Sequence, residues 1–530
     1  MKLNDSNHDC RGVEPAVLKS WLHDGKEIAL LDVREHGLYG EAHLFYSVNV
    51  PYSRLEIEAL RLVPGKATRI VLYAEDAEAS RKAAAVLAGL GYANAHVLDG
   101  GIEAWRRQGY AVFAGVNLPS KTFGELAEHQ YHTPAISAQE LNRRIAEGEK
   151  LVVLDGRPFP EFQKMSIPTA ICCPNGELAL RVRDLVPDEK TPIVINCAGR
   201  TRSIIGAQTL INLGVPNPVY ALENGTQGWY LNGYTLEQGQ TRRHGFDTTE
   251  ENLAAARERA AKLARRLGIA GIDVEAYRGL ANEDGRNTFL FVVCTPEEYK
   301  TGTFPGARHA AGGQLIQATD QFVGVRGARL VLLDRDGVRA PVVASWLAQL
   351  GWDVCLLDAG NGALDAAPAA APAVPGTLPR IDSIRVRELR EGGALLVDIR
   401  SSMDYRKQHI AGAGWSIRKL ATDVVPDDGQ DIVLLADDAN VAELYARDMR
   451  LPQGTRVHVC LDGAKAWQEA GLPLASTPDH PPNSECIDFL FFVHDRHEGN
   501  REAAQRYLDW ETNLVNQIDE QERAAYRFLS

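Results

Sequence analysis

The chain repeats itself, and the repeat unit is the size of a domain. Three segments share an apolar run that ends in Asp-x-Arg: Ile28-Ala-Leu-Leu-Asp32-Val-Arg34, Leu151-Val-Val-Leu-Asp155-Gly-Arg157 and Ala394-Leu-Leu-Val-Asp398-Ile-Arg400. A fourth, Phe289-Leu-Phe-Val-Val-Cys294, has the same shape with Cys294 where the Asp is expected. Successive copies lie 123, 139 and 104 residues apart, counted from residue 32 to 155, 294 and 398. Solenoid repeats are far shorter. A repeat this long copies a whole core, and 530 residues are too many for one core.

Each copy continues in the same way. A second apolar run follows, as in Arg69-Ile-Val-Leu-Tyr73, Pro192-Ile-Val-Ile-Asn196, Arg329-Leu-Val-Leu-Leu333 and Asp431-Ile-Val-Leu-Leu435. These runs are apolar on both parities, the pattern of a buried parallel strand. Then come a polar loop, an amphipathic helix closed in three copies by Gly91, Gly214 or Gly351, and a third strand. The third strand ends in an acidic-Gly turn, and three copies follow it with a tryptophan, Trp105, Trp229 or Trp467. Alternating strands and helices predict α/β domains, each a parallel five-stranded sheet flanked by helices. The expected domains are residues 1–120, 130–240, 268–365 and 380–478. A charged, Ala-rich helical linker (241–267) and an Ala/Pro spacer (366–379) separate them, and a tail follows (479–530).

Composition narrows the function classes. The formal charge is 57 minus 70, or −13, with no long basic run, so neither nucleic acid nor an anionic membrane is an expected partner. No stretch approaches 18 uninterrupted apolar residues, and the polar start shows no secretory signal. Eight cysteines, without C-x-x-C pairs or zinc spacing, point to a reducing cytoplasm, no disulfide framework and no metal. Cys172, Cys173, Cys355 and Cys460 read as core thiols, and Cys10 and Cys486 carry no motif.

Cys197 differs. A parallel sheet presents ligand groups at the carboxyl ends of its strands. The loop after the second strand aligns without gaps in all four copies: Ala74-Glu-Asp-Ala-Glu-Ala-Ser80, Cys197-Ala-Gly-Arg-Thr-Arg-Ser203, Asp334-Arg-Asp-Gly-Val-Arg-Ala340 and Ala436-Asp-Asp-Ala-Asn-Val-Ala442. Only the second has a nucleophile at its head, and only the second is basic. A thiol entering a helix N-terminus meets converging N–H groups, so a lowered pKa is expected for Cys197. The loop residues Ala198, Gly199, Arg200, Thr201, Arg202 and Ser203 would cradle an anion, with Arg200 and Arg202 holding a negatively charged substrate. Gly199 leaves room for the loop to curl. Such chemistry needs no metal and no organic cofactor. Asp155 and Arg157 recur in copies without the cysteine, which assigns them to structural support.

The pattern resembles the rhodanese (sulfurtransferase) family over residues 12 to 478. The resemblance rests on Asp155-x-Arg157, the Ile-Val-Ile-Asn-Cys197 strand, the six-residue loop from Cys197 to Arg202, and Glu223-Asn-Gly-Thr-Gln-Gly-Trp229. It implies four rhodanese-like domains of which one, carrying Cys197, is competent. It also implies a double displacement in which the Cys197 thiolate takes sulfur from thiosulfate, becomes a persulfide and passes the sulfur to cyanide or a thiol. The loop does not match the Cys-Gly-Ser/Thr-Gly-Val-Thr of mercaptopyruvate-specific members, and its two arginines favour a small dianion.

Two other classes compete. Rhodanese-fold phosphatases and arsenate reductases use a loop one residue longer, and the corresponding position here is Ser203. A sulfur relay or scaffold would use the three cysteine-less domains as docking modules. In the tail, the strand-like run Ile487-Asp-Phe-Leu-Phe-Phe-Val493 would have to be covered, by another domain or by the second subunit of a homodimer. The helical stretch from Asn500 to Leu529 carries no chemical assignment.

Overall fold

A computed structural model describes residues 11–360, 365–368, 370–491 and 500–529. Cys10, Phe492 and Val493 lie outside the described residues. The chain forms two compact units. One contains residues 1–18, 29–115 and 371–491; the other contains 19–28, 116–370 and 492–530.

Among its described residues the first unit holds two parallel sheets and a two-stranded antiparallel ladder, His409–Ile410 with Leu474–Ala475. In one, the strands run in the order Arg11–Val13, Ala95–Leu98, Ile70–Tyr73, Ala29–Asp32, Val48–Asn49, all parallel. The other has four parallel strands where five are expected: Gly414–Trp415, Leu395–Asp398, Ile432–Leu435 and Val457–Cys460. At the fifth place there is only a single parallel bridge, Arg380 to Val459. The described part of the run, Ile487 to Phe491, forms no strand. Its described residues are turns packed on a glycine face, where Gly37 N–H donates to the Ile487 carbonyl and Leu490 lies against Gly40. Of the described run Leu490 is buried, while Ile487, Phe489 and Phe491 are partly exposed.

The second unit also holds two sheets, each of five parallel strands. One runs Ala135–Ile136, Val219–Leu222, Ile193–Asn196, Val152–Asp155, Ile171–Cys172. The other runs Ala270–Ile272, Asp353–Leu357, Arg329–Leu333, Thr288–Val292, Arg308–His309. The central strands Ile193–Asn196 and Val152–Asp155 are apolar on both faces because helices cover both. The Ala-rich linker becomes a helix, Glu250–Arg266, capped by Thr249. It buries Ala256, Ala260 and Leu263 in the core that also contains Val182, Ile204 and Val342. The C-terminal helix Arg501–Gln517 packs on the helix Leu118–Tyr131.

Register corrects one sequence expectation. Asp155 pairs with Asn196, one residue before Cys197, and Val292 pairs with Leu333, one residue before Asp334. Val292 therefore occupies the place of Asp155, and Cys294 that of Arg157. The apolar run Phe289–Val293 conceals this two-residue offset, because period and hydropathy alone do not mark where a buried strand ends.

Each Asp-x-Arg pair forms a buried ion pair beside the first loop. Asp155 is fully buried and accepts from the Arg157 backbone N–H, from its guanidinium and from Asn196 Nδ2. The guanidinium also donates to the Met165 carbonyl, eight residues on. Arg34 reaches Ala42 and Arg400 reaches Gln408 in the same way. Trp105, Trp229 and Trp467 are buried core residues. Gly91, Gly214 and Gly351 adopt the left-handed conformation expected of helix C-caps, with φ of 88°, 69° and 92°.

Candidate active site

Cys197 leaves the sheet directly after Asn196, and the turn of the third strand braces it. The Cys197 carbonyl accepts from Thr226 N–H at 2.8 Å, and the Ala198 carbonyl from Gln227 N–H at 3.1 Å. This close approach explains Glu223-Asn-Gly: a Cβ on Gly225 would overlap the Cys197 carbonyl, and Gly225 also has a φ of 52°. Asn175 fixes the far end of the loop through a 2.8 Å bond from Nδ2 to the Arg202 carbonyl. From Thr201 the chain enters the helix Thr201–Asn212.

The loop amides are open. Among the described residues, no N–H from Ala198 to Arg202 donates to a backbone carbonyl. Each sister loop turns a carboxylate of its own onto at least one of the corresponding amides. Asp76 accepts from Ala79 N–H at 2.8 Å, and Asp438 from Asn440 N–H at 2.9 Å. Asp336 accepts from Val338 and Arg339, while Asp334, at the position of Cys197, accepts from Gly337 and Ala340. In all three, the third loop position carries a carboxylate; in the cysteine loop it is Gly199. The aligned loops show this contrast in the sequence itself, but charge counting overlooks it because it registers the arginines first.

The thiol is buried, with Cys197 only 2% exposed. Burial pushes its pKa up; the nearby Arg202 guanidinium and a 3.1 Å bond from Ser203 Oγ pull it down, and the charge of Glu511 adds to the rise. The net direction is upward, opposite to the sequence expectation. Desolvation outweighs the arginine and the Ser203 hydrogen bonds.

The arginines are engaged. Arg202 forms a two-pronged pair with Glu161, at 2.9 and 2.8 Å. Arg200 turns to the helix Leu118–Tyr131, where it pairs with Glu125 at 2.8 Å and with Glu128. The expected anion holders thus already carry matched charge. The third domain repeats the first of these pairs: Arg339, at the position of Arg202, holds Glu298, and Glu298 lies four residues after Cys294 as Glu161 lies four after Arg157. A pair that recurs without the nucleophile has a structural component.

A cavity of about 380 Å³ opens on this loop. Cys197, Ala198, Gly199, Arg200, Thr201 and Arg202 line it, together with Arg157 and Glu161. Lys121, Gln314 and Gln317 contribute from other helices, and Tyr507 and Glu511 from the C-terminal helix. Ser203 lies behind the thiol. Asp155 is buried beneath, as a support. A larger cavity, of about 1030 Å³, flanks the first domain's loop, and no cysteine is among its described lining residues. Cys172 and Cys173 are buried in apolar clusters that also contain Val153 and Leu154, respectively; burial pushes the Cys172 thiol up to about 12 and raises that of Cys173 too. No group of residues that could hold a metal ion occurs among the described residues, and no helix among them is long and apolar enough to cross a membrane.

Sequence reading missed Glu125, Glu128, Glu161, Asn175 and Glu511. Glu161 was accessible through its spacing from Arg157. Glu511 lies more than 300 residues from the loop it touches, and no local pattern points to it.

With the geometry in place, comparison with known proteins gives the class. The Rhodanese-like domain model matches residues 14–108 and 137–232. The crystal structure of thiosulfate sulfurtransferase from Pseudomonas aeruginosa is 39% identical, covers 98% of this chain and is itself covered in full, with a TM-score of 0.91. The chain belongs to the rhodanese sulfurtransferase family and is a rhodanese-fold sulfurtransferase with tandem rhodanese-like domains. Curated relatives match over shorter stretches. A probable adenylyltransferase/sulfurtransferase, MoeZ, of Mycobacterium tuberculosis is 33% identical over 97 residues, 18% of this chain and 24% of that protein. The match thus spans about a quarter of that relative's length. A putative sulfur carrier protein, YrkF, of Bacillus subtilis is 26% identical over 131 residues, 22% of this chain and 70% of that protein.

Proposed function

We propose that the chain is a thiosulfate sulfurtransferase that carries sulfane sulfur on Cys197 and delivers it to a thiol, or to cyanide in an assay. The single observation that supports this best is the open cradle of amides from Ala198 to Arg202 around a buried thiol, where each of the three sister loops turns a carboxylate of its own onto one or more of the corresponding amides. A persulfide anion on Cys197 would take the place those carboxylates hold elsewhere.

The Cys197 thiolate attacks the outer sulfur of thiosulfate. A new S–S bond forms, and the bond to the sulfonate breaks, with its electron pair leaving on sulfite. An acceptor thiolate or cyanide then attacks the outer sulfur of the persulfide and returns the Cys197 thiolate. The similarity to the P. aeruginosa thiosulfate sulfurtransferase supports thiosulfate as the donor.

A second reading, a sulfur relay fed by a persulfide donor, is favoured by one observation. Both loop arginines are charge-matched by Glu125, Glu128 and Glu161, which weakens the cavity's hold on a dianion. Steady-state kinetics with thiosulfate and with glutathione persulfide separate the two. The proposal expects turnover of thiosulfate to cyanide that disappears in Cys197→Ser. Transfer from the persulfide alone would favour the relay, and turnover retained in Cys197→Ser would refute both.

A further inference from the structure

A buried thiol with a raised pKa needs a proton acceptor, and the cavity contains one. Glu511, on the C-terminal helix, is 2% exposed. Its Oε1 accepts from Thr201 Oγ1 at 2.8 Å, at the first turn of the helix that follows Cys197. Its Oε2 is buried and has no hydrogen-bond partner among the described residues. That oxygen points at Gly199: a Cβ there would lie 2.9 Å from it. Glu511 thus stands beside the third loop position, where Asp76, Asp336 and Asp438 stand in the sister loops. The difference is functional. Those aspartates cap the amides, whereas Glu511 binds the Thr201 hydroxyl and leaves the amides open.

The other carboxylates are unsuited to the task. Both oxygens of Glu161 are bound by Arg202, and Glu125 and Glu128 are bound by Arg200. An unpartnered carboxylate oxygen in a buried site is costly unless a proton or a cation completes it.

We propose that Glu511 is the proton acceptor for Cys197 and the proton donor to the departing group. The assignment rests on the sulfurtransferase reading. Cys197–SH passes its proton to the Glu511 carboxylate. The thiolate bonds to the outer sulfur of thiosulfate, the S–S bond to the sulfonate breaks, and sulfite leaves with the electron pair. Glu511 returns the proton to sulfite. Neutral thiol and the thiosulfate dianion thus become a persulfide anion and hydrogen sulfite, with charge and atoms conserved. The charged or titratable groups that face Glu511 are Cys197, Arg200, Glu125, Lys121 and Tyr507.

The test is single-turnover loading of the full-length protein with thiosulfate, read by intact mass spectrometry between pH 6 and 10. Glu511→Gln keeps an acceptor for Thr201 and removes the base. We expect loading at pH 7 to fall by roughly 10²-fold or more and to recover by about tenfold per pH unit as hydroxide takes over. Glu511→Ala should be partly rescued by added formate. Loading of Glu511→Gln at the unaltered rate across the range would overturn the assignment. A uniform loss, with neither recovery at high pH nor formate rescue, would do the same and would leave Glu511 only a packing role. Absence of sulfur on Cys197 in the unaltered protein would instead overturn the sulfurtransferase reading itself.

Discussion

Gly199→Ala puts the contact between the C-terminal helix and the cysteine loop to a quantitative test. Gly199 does not adopt a positive φ, so alanine is allowed by the backbone and should stabilise by about 0.4–1 kcal/mol through the unfolded chain. Against this, the new Cβ would sit 2.9 Å from Glu511 Oε2, with Gln227 Nε2 and Tyr507 Cε1 at 3.7 Å. The carboxylate must swing away and lose the Thr201 hydroxyl, at about 1.5–3 kcal/mol for a hydrogen bond to a charged group. The net cost is about 1–2 kcal/mol. In a Glu511→Ala background the obstruction is gone, and the same substitution becomes neutral or stabilising. The coupling in the double-mutant cycle is therefore about 2 kcal/mol. Differential scanning calorimetry should show it as a change of sign, with Tm lowered by a few degrees in one background and level or raised in the other. A Gly199→Ala shift of equal sign and size in both backgrounds would refute the contact.

Two further substitutions probe the surroundings. Burial, only partly offset by Arg200, raises Glu125 from the ordinary 4.5 to about 7. Its contribution to stability is thus full below pH 4.5 and is lost as pH rises to about 7, by up to about 3 kcal/mol. Glu125→Gln should therefore gain Tm relative to the unaltered protein between pH 4.5 and pH 7.5, and a constant difference would contradict this. Asp155→Asn leaves the buried Arg157 guanidinium without its counter-charge and should cost about 3–5 kcal/mol, measured as lowered Tm and soluble yield; an unchanged Tm would show that the pair is dispensable.

Much of the fold is legible because buried parallel strands are apolar on both faces and their loops are not. The runs at 193–196 and 329–333 and the C-cap glycines are local signals, and the structure places them as expected. The offset at Cys294 was hidden, since an apolar run has no internal mark of register. The tail was misread in part: Ile487 to Leu490 satisfies its backbone in turns against Gly37 and Gly40, an arrangement that hydropathy does not distinguish from a strand.

The site divides along the same line. Cys197 and the loop that carries it are local and were legible by contrast with three sister loops. The electrostatics were not. Glu125, Glu128 and Glu511 reach the loop across long sequence separations, and burial reverses the direction of the thiol's pKa. Counting the arginines of the loop gave two free cations; in the fold both are paired with carboxylates.

Sulfur carried on Cys197 can be weighed directly. The full-length protein, treated with thiosulfate and freed of excess donor, should gain the mass of one sulfur atom. Proteolytic fragments should place it on the peptide that contains Cys197, and cyanide should remove it stoichiometrically as thiocyanate. Sulfur found on Cys172, Cys173 or another thiol, or no gain of mass at all, would contradict the account.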